Sequence, residues 1–286
     1  MILRFLLLTL SITGLFTPLF AQENNTIRVM SWNIRLDTKS DSVNQWAFRK
    51  DAFCNEVINQ NPDVLGVQEA LPGQMKDMRK RLRGYRSLGV ARDDGKNSGE
   101  FSALFYKKKV LKPIKSGTFW LSETPDVPGS RGWDAACNRI VTWAEFKHKA
   151  SGRHFMAFNT HFDHMGEVAR VESAQLIIHK IAELGNKLPV ILTGDFNVNS
   201  KHRAYHILTF SENEVVLVDS RVRAKQKTGP EISYISFDPK FETPDLIDFI
   251  FINDDFEVIS HNIFDFRMRG SYLSDHLPII VNLKIK

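Results

Sequence analysis

Side chains able to bind a hard cation or carry a proton occur where apolar, strand-like runs of this sequence end. The run "VILTGDFNVNS" (residues 190–200) places Asp195 and Asn197 two positions apart, just as its apolar character stops. Because strand side chains alternate with a period of two, both should point the same way. A carboxylate beside an amide offers two oxygen donors to a cation or a water molecule. The spacing predicts a functional site at the end of a buried strand.

Three other runs end in the same manner. "IRVMSWN" stops at Asn33, "DVLGVQE" at Glu69 and "HFMAFNTH" at His161. A single polar ending is readily explained as a turn, since Asn and Asp favour turns for local backbone reasons. Several together favour converging strands, because rigid strands fix donor positions better than loops do. The pattern predicts a metal or phosphate site at a shared sheet edge.

The C-terminal region supplies the remaining candidates. "PDLIDFIFI" contains Asp248, and "YLSDHLPIIV" contains Asp275 and His276. Adjacent strand residues point to opposite faces, but this Asp-His pair precedes Pro278, where a loop can direct each side chain separately. The pair predicts a carboxylate ligand beside an imidazole that handles a proton.

The elements that must position these residues are mostly strands. Apolar residues at helical spacing predict helices over 46–60 and 168–184, with a third over 73–83. The strand-like runs are "TIRVMSWNI", "DVLGVQEA", "FSALFYKK", "RIVTWAEF", "HFMAFNTH", "PVILTGDF", "LIDFIFI" and "PIIVNLKI". Many strands with a few amphipathic helices favour an α/β fold in which two sheets pack face to face and helices cover the outside. With no repeat or long linker, residues 25–286 should form one domain.

The N-terminus has the pattern of an export signal. Residues 1–21 combine a basic start at Arg4, a short apolar stretch broken by Pro18, and a small residue, Ala21, before polar "QENN". A retained membrane anchor is the alternative, but the apolar core is short for a span of roughly 20 residues. We expect cleavage after Ala21, no stable membrane insertion afterwards, and a periplasmic or secreted protein.

The composition of the chain places only weak limits on the class of substrate. The chain has 286 residues, of which 43% are hydrophobic, and its 38 basic and 33 acidic residues give a formal charge of +5. This excess fits an anionic substrate. The basic run 76–86 is more typical of a solvated helix face than of a phosphate site. Of the two cysteines, Cys54 falls on the apolar face of a helix and is expected to be an unpaired core thiol; a bridge to Cys137 stays open.

Six motifs together make the assignment specific. "SWNI", "VQEA", "NTHFDH", "GDFN", "LIDFIF" and "SDHLPI" occur in the order found in the endonuclease/exonuclease/phosphatase family, which the chain resembles over residues 27–284. "GVARDDGKNSGEFSALFY" and "TFWLSETP" resemble a secreted bacterial branch that is similar to poly(A) deadenylases. The resemblance implies the DNase I-like fold, a four-layer α/β sandwich with two packed, mainly antiparallel sheets flanked by helices.

The resemblance implies a metal centre and a proton-handling pair. Glu69 matches the principal ligand of Mg²⁺ or Mn²⁺, and Asn33 and Asp275 lie near the same ion in the family. His276 resembles the proton-handling histidine, and Asp248 the carboxylate that orients it. Oxygen donors of this kind suit hard cations. Whether one or two ions act stays open.

The family also implies contacts with the phosphate. Asp195 and Asn197 match an Asp-x-Asn pair in which Asp positions water or a metal and Asn holds a phosphate oxygen. His161 resembles the histidine that contacts the scissile phosphate, and Arg139 stands where relatives place a phosphate-binding side chain. Structural roles are expected instead for five other polar residues near the motifs. These are Arg92, Glu100, Asp163, His164 and Arg170.

These implications predict a monomeric, divalent-metal-dependent phosphoesterase acting on a phosphodiester, with nucleic acid among the candidate substrates. Trp120, Trp133 and Phe162 could stack on bases, although core packing is more typical of such aromatics. The segment "SYISFDPKFETPD" departs from the family's usual turn, which leaves the substrate-side loop unpredicted. One alternative is a metallo-β-lactamase-like zinc hydrolase, weakened because Asn159 replaces the first histidine of its motif. A non-catalytic binding module on the same fold is the other.

Overall fold

The computed structural model describes residues 25–185, 187–238, 240, 245–268 and 270–286. The predicted signal peptide, residues 1–21, lies outside these described residues. The helices are α1 (Trp46–Gln60), α2 (Pro72–Arg81), α3 (Glu167–Gly185), α4 (Arg203–Leu208), α5 (Ser220–Arg223) and a 3₁₀ helix (Lys39–Asn44). The strands are β1 (Thr26–Asn33), β2 (Val64–Ala70), β3 (Tyr85–Leu88), β4 (Phe101–Lys107), β5 (Leu111–Trp120), β6 (Ile140–His148), β7 (His154–His161), β8 (Val190–Asp195), β9 (Val218–Asp219), β10 (Gln226–Thr228), β11 (Asp248–Ile252), β12 (Phe256–Ile263), β13 (Arg267–Met268), β14 (Ser271–Tyr272) and β15 (Ile279–Ile285).

The strands form two mixed sheets and one short hairpin. The larger sheet has the order β10-β12-β15-β1-β2-β4-β3, the second has the order β5-β6-β7-β8-β11-β9, and β13 pairs with β14. Within the described residues, parallel pairing occurs between β1 and β2, β10 and β12, and β7 and β8, and the other neighbouring strands are antiparallel. The mainly antiparallel character predicted from the sequence is confirmed.

The two sheets pack face to face, and helices cover their outer faces. Strand β1 contributes side chains to two hydrophobic cores, because alternate side chains of a strand point to opposite faces of the sheet. Its Val29 lies in the core between the sheets, whereas Met30 and Trp32 pack in an outer core beneath α1 and α2. On the opposite side, Phe158 of β7 packs with Ile177 of α3 in a third core. The four-layer α/β sandwich is therefore confirmed.

A buried polar cluster ties the two sheets together one or two residues before the functional strand ends. Asn159 Oδ1 accepts hydrogen bonds from Gln68 Nε2 at 2.7 Å and from Thr193 Oγ1 at 2.9 Å. Asn159 Nδ2 donates to the carbonyl oxygens of Val67 and Ala103 in the larger sheet. The three polar side chains are almost completely buried. These contacts fix the lateral position of one sheet relative to the other, because each unmade bond would leave a buried polar group unsatisfied.

The helices agree closely with the sequence prediction. α1 has the predicted bounds, and α2 and α3 begin and end within two residues of theirs. Cys54 is buried on α1, and both it and Cys137 are free thiols, so the unpaired alternative holds. Lys76, Arg79 and Lys80 are exposed, as expected for a solvated helix face. Among the described helices, none is both long and apolar enough to cross a membrane.

Candidate active site

The functional strand ends of both sheets open into one cleft of about 440 Å³. β1 and β2 bring Asn33 and Glu69 from the larger sheet, while β7 and β8 bring His161 and Asp195 from the second. β11 runs antiparallel to β8, so Asp248 pairs in register with Asp195. The loop before β15 supplies the remaining two, Asp275 and His276. The predicted convergence of separate strand ends is therefore present.

Asn33 organises the acidic side of the cleft. Its Nδ2 donates to Glu69 Oε1 and to Asp195 Oδ2, both at 2.9 Å, which uses both amide hydrogens. Its Oδ1 accepts from the backbone N–H of Arg35 at 3.0 Å. Glu69 Oε2 accepts from the backbone N–H of Leu36 at 2.9 Å. Asn33 thus presents nitrogen to the carboxylates, and its assignment as a metal ligand stays a prediction.

Glu69 reaches this position through an unusual backbone conformation. Its φ is +63°, in the left-handed region that few non-glycine residues adopt. The pairing of β2 with β4 shifts register between Val67 and Ala70, which marks a bulge at the same place. Bulges commonly redirect a side chain beside an active site. The irregularity directs the Glu69 carboxylate into the cleft while Gln68 stays in the buried polar cluster.

His276 is held from behind by Asp248. His276 Nδ1 lies 2.8 Å from Asp248 Oδ2, so the ring donates its Nδ1 proton to the carboxylate and leaves Nε2 facing the site. Ser233 Oγ accepts from the backbone N–H of Asp248, and Trp32 Nε1 donates to the His276 carbonyl oxygen. Burial alone would lower the pKa of His276, but Asp248 and Asp195 outweigh it and hold this pKa well above its ordinary value. The ring therefore favours the protonated state.

Asp195 lies at the centre of the cleft. Its Oδ2 is 3.6 Å from Nε2 of both His161 and His276, and its Oδ1 accepts from the backbone N–H of Asn197 at 3.0 Å. Burial, with a contribution from the neighbouring Asp248 carboxylate, raises the pKa of Asp195 to about 7. A carboxylate of this kind can exchange a proton near neutral pH.

Asn197 fixes the tautomer of His161. Its Nδ2 donates to the Phe162 carbonyl oxygen and lies 3.0 Å from His161 Nε2, so that ring nitrogen must accept and Nδ1 must carry the hydrogen. Burial and the positive charge of Arg139 lower the pKa of His161 well below its ordinary value. His161 is therefore a neutral donor. Its Nδ1 has no hydrogen-bond partner among the described residues.

Arg139 forms the wall opposite the acidic residues. Its Nε donates to Asp163 Oδ2 at 3.2 Å, and Nη2 lies 3.0 Å from His164 Nδ1. Asp163 is buried; burial would raise its pKa, but the backbone N–H groups of Gly166 and Ala136 outweigh this and keep it well below the ordinary value. Arg139 Nη1 is buried without a hydrogen-bond partner in the described part of the chain. The Arg139 side chain lines the cleft, so its positive charge lies within the site.

The structure brings all nine predicted site residues into or directly against the cleft. Arg35 and Tyr234 also line it and are absent from the sequence prediction. Arg35 Nε lies 3.7 Å from Asp275 Oδ2, and the Tyr234 ring lies 5.1 Å from that of His276. Arg35 lies just beyond the end of β1 with a φ of +57°, outside the strand pattern on which the sequence prediction rests. Tyr234 belongs to the segment whose sequence departs from the family pattern.

The aromatic residues and the polar residues expected to have structural roles lie partly in the core and partly at the cleft. Trp120 and Phe162 are buried, as expected for core aromatics, and Trp133 is half-buried. Asp163 has the expected structural role as a backbone hydrogen-bond acceptor. Three residues expected to have structural roles instead line the cleft. They are Arg92, Glu100 and His164.

The residue set fits a hard divalent cation. Glu69 and Asp275 both face the cleft, and burial, with a contribution from Glu69, raises the pKa of Asp275. Crowded carboxylates of this kind are relieved by a cation that accepts oxygen ligands. Asp195, Asp248 and His276 also offer ligand atoms within 4.8 Å of one another. Glu69 and Asp275 would hold Mg²⁺ or Mn²⁺, with Asp195 close by.

This combination of fold and site defines a phosphoester-hydrolase class. Residues 30–276 match the model of the Endonuclease/Exonuclease/phosphatase family, and the chain belongs to that family. It is similar to an endonuclease/exonuclease/phosphatase from Bacteroides vulgatus, with 44% identity, coverage of 91% of this chain and 99% of that one, and a TM-score of 0.88. A mannosyl-6-phosphatase from Bacteroides thetaiotaomicron is 40% identical over 90% and 99% of the two chains, with a TM-score of 0.83. The human Nocturnin catalytic domain with bound sulfate, 21% identical over 92% of this chain and 95% of that one, shares the fold with a TM-score of 0.72.

The zinc-hydrolase alternative loses its support. Asn159 stands in place of the first zinc-binding histidine and is fully buried between the sheets. Its amide forms hydrogen bonds with Gln68, Thr193 and two backbone carbonyls. It contributes no ligand to the cleft. Family membership accounts for the "NTHFDH" motif.

Proposed function

We propose that the chain is an exported, Mg²⁺- or Mn²⁺-dependent phosphoesterase that hydrolyses a phosphate ester by attack of an activated water. One observation carries the proposal: Glu69 and Asp275 face the same cleft as Asp195, His276 and Arg139. Carboxylates for a cation, a group able to accept a proton near pH 7 and donors for phosphate oxygens are the parts that such hydrolysis needs.

The phosphate would lie between the acidic residues and Arg139. A cation held by Glu69 and Asp275 would neutralise negative charge that develops on the phosphate oxygens. Arg139 contributes positive charge to the same cleft, and neutral His161 also lines it. These groups bind and orient the phosphate before reaction, so little reorganisation is needed in the transition state.

The charges of the cleft support one direction for the proton transfer. Asp195, whose pKa is raised to about 7, accepts the proton of the attacking water. His276, whose pKa is raised well above its ordinary value, stays protonated and donates from Nε2 towards the phosphate. Asp248 holds that ring in place through Nδ1. The sequence predicts His276 as the proton-handling residue, and this charge balance favours Asp195 as the acceptor.

Two substrate classes remain in the proposal. The sequence predicts a phosphodiester, with nucleic acid as one candidate. A phosphomonoester is the second candidate, supported by the 40% identity with the mannosyl-6-phosphatase. Export is supported by the pattern of residues 1–21, and recovery of a chain beginning at Gln22 outside the cytoplasm of a bacterial host would check it.

A panel assay tests the reaction. The purified chain should hydrolyse at least one of bis-p-nitrophenyl phosphate, an oligonucleotide and mannose 6-phosphate in Mg²⁺ or Mn²⁺, and lose activity in EDTA. Glu69→Gln and His276→Ala should each lower kcat by at least about 10³-fold with the thermal midpoint little changed, because both groups act on the reacting phosphate.

The control is Glu212→Gln, which removes an exposed carboxylate outside the cleft and should leave kcat unchanged. Full activity of both cleft variants, or hydrolysis that persists without divalent cations, would contradict the proposal. A wild-type chain that binds phosphate but turns over none of the substrates would favour the binding-module alternative.

A further inference from the structure

An ion pair on the cleft wall has no role in the reaction described above. Arg92 and Glu100 belong to the connection between β3 and β4, and both line the cleft beside Glu69 and Arg139. Arg92 Nη1 donates to Glu100 Oε2 and Nη2 lies against Oε1, each at 2.7 Å, so the pair is planar and bidentate. The two side chains are 14% and 15% exposed. A guanidinium and a carboxylate thus face the cleft side by side.

The connection holds this pair rigidly. The backbone N–H of Arg92 donates to the Glu100 carbonyl at 3.0 Å, and the carbonyl of Arg92 accepts from Trp120 Nε1 at 2.6 Å. Gly99 has a φ of +88°, and a Cβ there would collide with the Asp93 carboxylate. These contacts fix the two charged groups as firmly as a strand would, which is what recognition of a ligand requires.

The stability of the fold does not by itself explain the Arg92–Glu100 ion pair. Burying two charges costs desolvation energy that their attraction barely offsets, and apolar residues of similar size are often as stabilising. Arg92 Nε has no hydrogen-bond partner among the described residues, so the pair is also imperfectly satisfied. A mostly buried ion pair beside the proposed phosphate position therefore favours a ligand that contacts it.

The chemistry of the pair selects the ligand. Each carboxylate oxygen retains lone-pair capacity for a hydroxyl hydrogen, and the guanidinium can donate to a hydroxyl oxygen. Neighbouring hydroxyls of a sugar match such a planar array of donors and acceptors. A second phosphate would instead meet the negative charges of Glu100, Glu69 and Asp93. A cleft of about 440 Å³ also suits a small ligand better than a polymer.

We propose that Arg92 and Glu100 form a leaving-group subsite that binds an uncharged, polyhydroxylated group, a sugar, next to the phosphate. This inference rests on the proposed phosphoesterase function and adds the class of its leaving group. Glu100 is then a specificity-determining residue, and it acts on substrate binding rather than on the reacting phosphorus.

Two measurements test the subsite separately from catalysis. By calorimetry, the His276→Ala chain with Mg²⁺, which should turn over the ester too slowly to deplete it, should bind mannose 6-phosphate at least about tenfold more tightly than inorganic phosphate, as expected for a charge-assisted hydrogen bond to a hydroxyl. By kinetics, Glu100→Gln should raise KM for mannose 6-phosphate about tenfold or more and change kcat/KM for p-nitrophenyl phosphate, which has no hydroxyls on its leaving group, by less than about threefold.

Glu100→Gln leaves Arg92 without its partner, so a second variant guards against misfolding. The double variant Arg92→Met/Glu100→Met removes both charges together and should fold stably. It should lose the preference for mannose 6-phosphate over phosphate. Glu145→Gln is the matched control, since Glu145 forms a half-buried pair with His154 on β6 and β7, outside the cleft. Its kinetics should equal those of the wild type.

Each outcome separates the two proposals. Equal binding of mannose 6-phosphate and inorganic phosphate would overturn the subsite even if the enzyme hydrolyses phosphate esters. An equal loss on both substrates in Glu100→Gln would also overturn it, because the residue would then act on the phosphate or the fold. Preferential binding of the sugar phosphate without any turnover by the wild-type chain would contradict the proposed hydrolysis but support the sugar subsite.

Discussion

His161 and His276 lie at the same distance from one carboxylate, yet their charges differ. Each ring has Nε2 3.6 Å from Asp195 Oδ2, and the residues are 7% and 5% exposed. The pKa of His161 is nevertheless held well below its ordinary value and that of His276 well above it. Burial lowers both, so burial and distance to Asp195 cannot explain the difference.

The second contact of each ring makes the distinction. Behind His276 stands the Asp248 carboxylate, which stabilises the imidazolium, whereas His161 contacts the neutral Asn197 amide and lies near Arg139. Two histidines at matched positions thus become a cationic donor and a neutral donor. The roles of acidic and basic groups in such a cleft follow from what lies behind each ring.

The largest expected effect comes from removing that difference. Asp248→Asn should lower the pKa of His276 and reduce kcat by about 10³-fold, because the ring loses both its stabilising charge and its orientation. Nuclear magnetic resonance titration of His276 in the metal-free chain, together with kcat at pH 7, would measure both.

Asp254→Asn serves as the matched control, since Asp254 is an exposed partner of Arg223 far from the cleft. An unchanged His276 pKa in Asp248→Asn would contradict this explanation of the difference between the two histidines, because Asp248 would then not be the source of the raised pKa.

A third buried histidine extends the comparison to stability. His261 lies 3.0 Å from Ser220 Oγ and has no carboxylate partner within the described part of the chain. Burial, helped by Arg221, lowers its pKa from 6.5 to about 3. The unfolded chain takes up this proton below pH 6.5, whereas the folded chain does so only near pH 3. The stabilisation is present above pH 6.5 and is lost as the pH falls towards 3. At pH 5 the loss should be about 2 kcal/mol relative to pH 7.

Urea unfolding at pH 7 and pH 5 measures this effect. His261→Gln should lose about 2 kcal/mol less than the wild type between the two pH values, since it cannot take up the proton. His179→Gln, at an exposed position on α3, should behave like the wild type. A parallel decline in all three proteins would show that His261 has no such role.

The smallest effect is expected at His161. Asn197→Asp places a carboxylate against its Nε2 and should raise the pKa of His161, making it resemble His276. We expect about a tenfold loss of kcat as the neutral His161 ring becomes protonated. Resonances of the His161 ring nitrogens would report the protonation state. Asn197→Gly, which suits the φ of +50° at this position, removes the amide without adding charge and should leave the pKa low.

Much of the fold was predictable from the sequence because its central elements are strongly periodic. The helix over 46–60 has the predicted bounds, and all eight predicted strand runs form strands. The strands that escaped prediction include β3 and β5, which lie at sheet edges. β5 is exposed or half-buried over residues 112–118 and contains Pro113 at a register shift, so it lacks the alternation that marks a half-buried strand. β3 has four residues and follows a basic run that resembles a helix face.

The site was predictable where a side chain terminates a strand. Asn33, Glu69 and Asp195 illustrate this, because strand direction and register bring their ends to one edge. The left-handed backbone of Glu69 could not be predicted, since nothing in its residue type indicates a positive φ. Structural roles were expected for Arg92 and Glu100 because turn and surface positions are enough to explain such residues. Only the folded connection places their charges on the cleft wall.

The buried cluster of Gln68, Asn159 and Thr193 lies beneath the strand ends that form the floor of the cleft. The loops that surround these strand ends form its rim. Because these buried amides and hydroxyl hold the sheets in register, the strand ends above them keep their spacing whatever the surrounding connections do. The rim, in contrast, is built from loops that tolerate change. Evolution can therefore alter substrate choice by replacing loop residues while the machinery for hydrolysis is inherited intact.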